Sequence, residues 1–117
     1  MKILFVDDVP DTRMLFSFAF EMHGHPTKVA SDGVEAVEAV RNEAFDAIVM
    51  DVEMPRMSGW DATRHIRQMA NGQNVPILMF TGYNEDHSKA LEAGANGLAL
   101  KPLAPQELLS RIMKFQS

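Results

Sequence analysis

Five polar residues stand at the ends of short apolar runs in this sequence. The runs are KILFV, FDAIVM, PILMF and NGLAL, and the polar residues are Asp7, Asp8, Asp51, Thr81 and Lys101. If the runs are parallel strands, their carboxyl ends point to one rim of a sheet, so we expect the five side chains to converge there. Three carboxylates close together repel one another unless a cation binds, whereas a lysine and a hydroxyl suit an anion. The spacing therefore predicts a cation site beside a site for an anionic ligand such as a phosphoryl group.

The apolar runs alternate with longer amphipathic segments. This pattern predicts strands over 2–7, 26–30, 45–51, 75–80 and 97–101, and helices over 10–23, 33–42, 58–69, 85–93 and 105–115. Strands that alternate with helices form βαβ units, which give a parallel sheet with helices on both faces. The expected fold class is therefore α/β, a three-layer doubly wound (βα)5 fold, for which we take the strand order to be 2-1-3-4-5. The run at 26–30 is the most polar, which is typical of an edge strand.

Composition narrows the function classes. The chain has 117 residues, a mass of 13.1 kDa and a net charge of -5, which predicts one domain. Lysines and arginines form no cluster, which argues against nucleic acid as a partner. No stretch approaches the ~20 apolar residues that a membrane span needs. Cysteine is absent, which excludes disulfides, thiolate metal sites and cysteine nucleophiles, and fits a reducing compartment such as the cytoplasm.

The aspartates at the strand ends suit a magnesium ion. Asp7 and Asp8 come where the chain turns, so both can approach one cation, although neighbours within a strand point to opposite faces. Mg²⁺ is usually held by one or two carboxylates together with waters and phosphate oxygens. Asp51 ends the third strand, which lies beside the first where the strand order reverses and where such sheets bind ligands. One such aspartate is more often a turn or cap residue, but the five residues together favour function.

The sequence resembles the receiver domains of two-component response regulators over essentially its whole length. The segments that carry the resemblance are FVDD at 5–8, DGVEAV at 32–37, DVEMPRMSG at 51–59, FTG at 80–82 and LKP at 100–102. The resemblance implies a flavodoxin-like fold. It also implies that Asp51 is the phosphoacceptor, whose carboxylate attacks phosphorus and becomes an acyl phosphate.

The resemblance implies further roles around Asp51. Asp8 would bind Mg²⁺ directly and Asp7 through water, together with Asp51 and the backbone carbonyl of Glu53. Positioning and charge neutralisation would then account for most of the catalysis.

Three groups would bind the transferred phosphoryl group. Lys101 would pair with its oxygens, and the Thr81 hydroxyl and the Gly82 backbone N–H would donate hydrogen bonds to it. The resemblance also implies a cis bond between Lys101 and Pro102.

The phosphoryl donor in this family is a phosphohistidine on a sensor histidine kinase or a histidine phosphotransfer protein. We therefore expect a single-domain response regulator over residues 1–117, with no output domain, that signals to a downstream protein as a monomer or weak dimer. Within the family, the alternatives are a phosphate sink or relay receiver and a receiver excised from a hybrid histidine kinase.

Two alternatives lie outside the family. A Mg²⁺-dependent aspartyl-phosphate phosphohydrolase needs a second acid two residues after its nucleophile, which Glu53 matches loosely. A flavodoxin-like electron carrier must cradle the FMN phosphate in its first loop, but the loop here reads Asp-Asp-Val-Pro-Asp and would repel it.

Three features depart from the receiver pattern. Leu98 stands at the switch position, where receivers usually carry a Tyr or Phe that changes rotamer on activation. The segment from Thr81 to Lys101 is shorter than in the family, which predicts a short, mobile fourth helix and an order–disorder switch in place of a ring rotation. Glu53 and Tyr83 would flank the phosphoryl group, and we expect Tyr83 to shield it while Glu53 adds negative charge near the attacking water.

The first helix carries two apolar arcs. The arc that we expect to face the sheet consists of Leu15, Phe16, Ala19 and Phe20. A second arc, centred about 130° away at 100° per residue, consists of Met14, Phe18 and Met22. One face cannot bury both arcs. Either neighbouring helices cover part of the second arc, or it forms a docking surface for a partner protein.

Overall fold

The computed structural model describes residues 1–82 and 87–116, and it has the alternating order of strands and helices that the sequence predicts. The strands are β1 (Ile3–Val6), β2 (Thr27–Ala30), β3 (Ala47–Met50), β4 (Ile77–Thr81) and β5 (Gly97–Leu100). The helices are α1 (Pro10–Met22), α2 (Gly33–Asn42), α3 (Gly59–Arg67), α4 (His87–Ala93) and α5 (Pro105–Met113), with short 3-10 turns at Ala70–Gly72 and Lys114–Gln116. The strands pair in parallel in the order β2-β1-β3-β4-β5. The predicted fold class and strand order are confirmed.

Helices cover both faces of the sheet and give it two apolar layers. On one face, α2, α3 and α4 pack over residues such as Ile48, Met50 and Met79. On the other, α1 and α5 pack over Phe5 and Phe80. Every residue of β1, β3 and β4 is buried, whereas β2 is half exposed and lies at the edge, as its polarity predicts.

Side-chain caps fix the start of two helices next to the functional rim. The Asp32 carboxylate accepts a hydrogen bond from the Glu35 N–H at the start of α2, at 2.8 Å. The Ser58 hydroxyl accepts one from the Asp61 N–H at the start of α3, at 3.2 Å. Such caps satisfy backbone donors that have no partner within the helix, so both helices begin at a defined residue.

The prediction that Leu15 faces the sheet is wrong. Phe16 and Phe20 are the buried residues of α1, and the ring of Phe16 stacks on Phe5 at 5.0 Å between centroids. These two phenyl rings fill the space between helix and sheet, so Leu15, 100° further round, stays 57% exposed, and Ala19 is half-buried.

The second arc of α1 is exposed. Met14, Phe18 and Met22 are 71%, 64% and 70% exposed, so neighbouring helices leave all three accessible to solvent. Together with Leu15 they form a continuous apolar surface on the side of the helix away from the sheet. We call these four residues the α1 apolar surface.

The fourth helix is short, as predicted. Within the part of the chain that the structure describes it spans seven residues, with Ala90 and Ala93 buried and Leu91 exposed. Its predicted first residues and Tyr83 lie outside the described residues, and its mobility stays a prediction. Among the residues described, no helix combines the length and the apolar character that crossing a bilayer requires.

Candidate functional site

Four adjacent parallel strands bring the predicted site residues to one rim. Asp7 and Asp8 follow β1, Asp51 follows β3, Thr81 ends β4 and Lys101 follows β5. A cleft of about 520 Å³ opens at this rim, and its lining residues are Asp8, Val9, Asp51, Glu53, Gly82 and Lys101. The convergence expected from the strand ends is therefore present.

The three aspartates form a compact acidic cluster. Asp7, Asp8 and Asp51 each offer one carboxylate oxygen, and these oxygens lie within 4.8 Å of one another. Asp7 is 1% exposed and Asp51 is 8% exposed, whereas Asp8 lies open to solvent. Carboxylates at this spacing beside an open cleft match what Mg²⁺ binds, because the ion keeps several waters and needs room for them.

Lys101 lies between two of these carboxylates. Its Nζ donates a hydrogen bond to Asp7 Oδ2 at 2.6 Å and lies 3.6 Å from Asp51 Oδ2. The other oxygen of Asp7 accepts a hydrogen bond from the Val9 N–H at 2.9 Å. Burial lowers the pKa of Lys101, but the hydrogen bond to Asp7 and the charges of Asp51 and Asp7 outweigh burial and raise it above its usual value. The lysine therefore stays charged beside the acidic cluster.

Asp51 has an environment that disfavours its charge. Burial raises its pKa, the positive charge of Lys101 lowers it, and the negative charge of Asp7 raises it again, to about 6. The Val52 N–H donates to Asp51 Oδ1 at 2.8 Å, which fixes the carboxylate. Oδ2 faces Lys101 in the cleft. The carboxyl group of Asp51 therefore loses its proton at a higher pH than an ordinary aspartate does.

The rim of β4 and β5 carries the remaining predicted residues. Thr81 is fully buried, and its backbone carbonyl accepts a hydrogen bond from the Lys101 N–H at 2.7 Å. Gly82 follows as an exposed residue of the cleft wall. The bond between Lys101 and Pro102 is cis, as the resemblance implies.

The loop from β3 to α3 forms one wall of the cleft. Glu53 is exposed and lines the cleft. Gly59, at the end of the loop, lies so close to Asp51 that a Cβ there would be 2.0 Å from the Asp51 carbonyl oxygen. Glycine is therefore required at this position, and the loop returns directly under the predicted phosphoacceptor.

Comparison with known proteins agrees with this arrangement. Residues 3–113 match the family described as the response regulator receiver domain. The chain belongs to this family. Because receiver domains are signalling proteins, the assignment favours signalling over the phosphohydrolase and the electron carrier considered above.

One related receiver is part of a longer protein. Response regulator MprA of Mycobacterium leprae is 39% identical over 114 residues, which cover 96% of this chain and 49% of MprA. The chain therefore spans about half the length of that relative.

Two solved receiver structures match nearly the whole chain. One is the receiver domain of sensor histidine kinase PA1611 from Pseudomonas aeruginosa, solved with magnesium coordinated in its active-site cleft. It is 32% identical to this chain with a TM-score of 0.89, and the match covers 99% of this chain and 98% of that one. Chemotaxis response regulator CheY4 of Vibrio cholerae is 31% identical with a TM-score of 0.91, covering 97% of each chain.

Leu98 stands at the position where the resemblance led us to expect an aromatic switch residue. It pairs with Met79 across β4 and β5, is 9% exposed, and belongs to the apolar layer under α4 that includes Ala90. The position therefore holds a buried aliphatic side chain. Tyr83, which we expected to shield the phosphoryl group, lies outside the described residues.

The sequence did not reveal the roles of two arginines near the site. Arg13 Nη1 donates to the backbone carbonyl of Asp7 at 2.8 Å, which ties α1 to the end of β1. Arg56 Nε donates to Asp32 Oδ2 at 2.7 Å, which ties the β3–α3 loop to α2. Asp32 lies in the segment DGVEAV and Arg56 in the segment DVEMPRMSG, but nothing in the spacing of these segments indicated a contact between the two residues.

Proposed function

We propose that this chain is a single-domain response regulator of the cytoplasm. Asp51 accepts a phosphoryl group from a phosphohistidine on a sensor histidine kinase or a histidine phosphotransfer protein, in a Mg²⁺-dependent reaction. The phosphorylated chain then signals by contact with a downstream protein. The observation that carries the proposal is the position of Asp51 in an open cleft, with two further aspartates and one lysine around it.

Mg²⁺ fits the donor set at this rim. Asp7, Asp8, Asp51 and the backbone carbonyl of Glu53 would hold it, as hard oxygen ligands beside solvent. Once bound, the ion neutralises the negative charge that otherwise keeps a carboxylate and a phosphoryl group apart.

Phosphoryl transfer needs the unprotonated carboxylate of Asp51. One of its oxygens forms a bond to phosphorus while the bond between phosphorus and the donor imidazole nitrogen breaks. The electron pair of that bond stays on the imidazole, which takes up a proton from solvent. Lys101 Nζ, 3.6 Å from Asp51 Oδ2, is close enough to pair with a phosphoryl oxygen. We assign hydrogen bonds to the other oxygens to the Thr81 hydroxyl and the Gly82 N–H.

Acetyl phosphate tests the central step. Wild-type protein incubated with acetyl phosphate and Mg²⁺ should gain the mass of one phosphoryl group, and removal of Mg²⁺ with EDTA should abolish the gain. Asp51→Asn should gain none, whereas Asp61→Asn, an exposed aspartate on α3, should behave as wild type. A phosphoryl adduct on Asp51→Asn of the same extent would refute the assignment.

The α1 apolar surface supports docking of a partner protein. Its four side chains are each more than half exposed, and contiguous exposed apolar residues often mark interfaces. The helix begins at Pro10, directly after the aspartates of β1, so a partner on this surface lies next to the cleft. We infer that the histidine-bearing donor docks here.

Two phosphoryl donors separate docking from chemistry. Met14→Lys and Phe18→Lys should slow transfer from a phosphorylated histidine protein by at least about tenfold, because hot-spot residues carry most binding energy. The same variants should accept phosphoryl from acetyl phosphate at the wild-type rate. Val29→Lys, at an exposed apolar residue of β2, is the matched control. Unchanged transfer from the protein donor would exclude this surface.

We propose that activation orders the region of α4 and does not depend on a rotating aromatic ring. Leu98 is buried against α4, and a leucine has no ring or hydroxyl to exchange between buried and exposed states. Amide chemical shifts recorded with Mg²⁺ and beryllofluoride, a phosphoryl mimic, should change in α4 and β5. Spectra that change only at the rim would contradict this mode of output.

A further inference from the structure

We propose that Asp32 and Arg56 form a positioning pair that holds the β3–α3 loop, and with it Glu53, in place for the magnesium ion. The inference rests on the proposed function, because it assigns a role toward the Mg²⁺ site. Neither residue lines the cleft. Both act through the loop that forms one of its walls.

The pair joins a fixed carboxylate to an exposed loop. Asp32 is 5% exposed, and its Oδ1 accepts the hydrogen bond from Glu35 N–H that caps α2. Its Oδ2 accepts the hydrogen bond from Arg56 Nε at 2.7 Å. Asp32 is thus anchored by its own helix, and Arg56 is the partner whose position depends on the contact.

The backbone conformation of Arg56 also indicates that Asp32 holds Arg56 in place. Its φ is 68°, in the left-handed region that residues with a Cβ rarely adopt. A glycine would take this conformation at little cost, but it has no side chain to reach Asp32. Unfavourable backbone conformations persist where surrounding contacts impose them. The hydrogen bond from Arg56 to Asp32 is such a contact.

A second contact holds the same part of the loop. A Cβ built on Gly33 would lie 2.5 Å from the Met57 carbonyl oxygen, so the loop backbone rests directly against the start of α2. The N-cap residue Asp32 and the first residue of α2, Gly33, therefore hold adjacent residues of the loop, Arg56 and Met57.

The other end of the loop is fixed at Asp51. The Val52 N–H donates to the Asp51 carboxylate at 2.8 Å, and the Val52 carbonyl accepts from the Gly59 N–H at 2.7 Å. Glu53 lies between this end and the part held by α2. Loss of either anchor would free the backbone of Glu53, whose carbonyl we assign to the metal, so the position of this carbonyl depends on Arg56 as well as on Asp51.

Mg²⁺ affinity of single and double variants tests the pair. Asp32→Asn removes the charge but keeps a good N-cap, because Asn caps helices as well as Asp does. Arg56→Gln removes the other partner. We expect each to raise the Mg²⁺ dissociation constant, measured by calorimetry, by about 3- to 10-fold, at or below the range for outer-shell partners of metal ligands. The double variant should bind Mg²⁺ no more weakly than the single variant that has the higher dissociation constant.

The control breaks an ion pair elsewhere. Arg64→Gln removes the exposed pair with Asp61 on α3 and should bind Mg²⁺ as wild type does. If Asp32 and Arg56 only stabilised the fold, the Mg²⁺ affinity of each variant would fall in step with its thermal midpoint. Arg56→Gly separates the two, because it relieves the positive φ and yet removes the contact. We expect weaker Mg²⁺ binding with a thermal midpoint, measured without metal, at or above that of Arg56→Gln.

The outcomes distinguish this inference from the proposed function. If wild type binds Mg²⁺ and is phosphorylated but Asp32→Asn and Arg56→Gln bind equally well, the positioning role is refuted and the function stands. Additive losses in the double variant, or Mg²⁺ affinity that follows the thermal midpoint across all variants, also refute it. If wild-type protein binds no Mg²⁺, the proposed function fails and this inference with it.

Discussion

Lys101 Nζ lies 2.6 Å from an oxygen of Asp7 and 3.6 Å from an oxygen of Asp51. One ammonium group therefore neutralises part of two carboxylates, of which Asp7 is almost completely buried. A magnesium ion bound at the same rim, as proposed, would also neutralise these carboxylates, so it would compete with the lysine for the charge of Asp7.

Removal of Lys101 should destabilise the metal-free protein. Lys101→Ala leaves Asp7 buried without its charged partner, and we expect a loss of about 2 kcal/mol in the free energy of unfolding, below the usual 3–5 because the lysine is partly exposed. Mg²⁺ should recover much of this loss. Urea denaturation with and without Mg²⁺ measures both effects, with Lys28→Ala, from an exposed pair with Glu43, as control. An equal loss in the presence and absence of Mg²⁺ would contradict the competition.

The raised pKa of Asp51 predicts how stability depends on pH without metal. The folded protein holds the proton of Asp51 up to about pH 6, whereas the unfolded chain releases it near the usual 3.8. This group therefore lowers the free energy of unfolding as pH rises through that window, by about 3 kcal/mol in the limit. Asp51→Asn should be more stable than wild type by about 2–3 kcal/mol at pH 7.

Measurement at low pH provides a control for the comparison of Asp51→Asn with wild type. At pH 3.5 the acid is neutral in the folded state and about two-thirds neutral in the unfolded chain, so Asp51→Asn and wild type should unfold at nearly equal denaturant concentration. A difference that is constant from pH 3.5 to 7 would mean that burial does not raise the pKa of Asp51. Mg²⁺ should stabilise the wild type at pH 7 and leave Asp51→Asn almost unchanged.

Asp8 is the exposed member of the acidic cluster, and its removal should affect metal binding with little effect on the fold. At a Mg²⁺ concentration 100 times the dissociation constant, wild type should gain about 2.7 kcal/mol in stability. Asp8→Asn should lose most of this gain but keep the metal-free thermal midpoint within about 1 °C, since exposed substitutions rarely matter. Thermal melts with and without EDTA give both numbers. A full Mg²⁺ gain in Asp8→Asn would remove it from the metal site.

Gly59 should tolerate no side chain. A Cβ there would meet the Asp51 carbonyl oxygen at 2.0 Å and the Met79 side chain at 2.9 Å, so Gly59→Ala must displace the β3–α3 loop. We expect a loss of about 2–3 kcal/mol, as in overpacked sites, together with weaker Mg²⁺ binding. Gly82→Ala is the matched control, since a Cβ at Gly82 meets nothing within 4 Å. Equal stability of the two variants would be inconsistent with the close approach.

The positions of the site residues were predictable because each of them ends or directly follows an apolar run. The runs that end at Asp7, Asp51 and Thr81 are apolar at successive positions, and the structure buries them completely. Parallel pairing then brings the polar residues together without any further information. The polarity of the run at 26–30 indicated an edge strand, but the full order of the strands was taken from the doubly wound fold as a whole and not from the pattern.

Other features depend on contacts that a linear pattern does not encode. The helical period placed Leu15 beside Phe16, but it did not show that Phe16 and Phe20 are the residues of α1 that fill the space over the sheet. Asp32 and Arg56 are 24 residues apart, and their contact requires the loop and α2 to be placed in three dimensions. The contact of Arg13 was also unpredictable, because its partner is a backbone carbonyl, a group that every residue has.

The hydrogen bond from the Lys101 N–H to the Thr81 carbonyl has a consequence for signalling. Thr81 also pairs in register with Leu100, which is exposed on the outermost strand. A displacement of Thr81 toward a newly attached phosphoryl group would pull on this edge of the sheet. If Asp51 is phosphorylated as proposed, a protein bound along the outer border of β5 would therefore respond to the chemical state of Asp51 without entering the cleft.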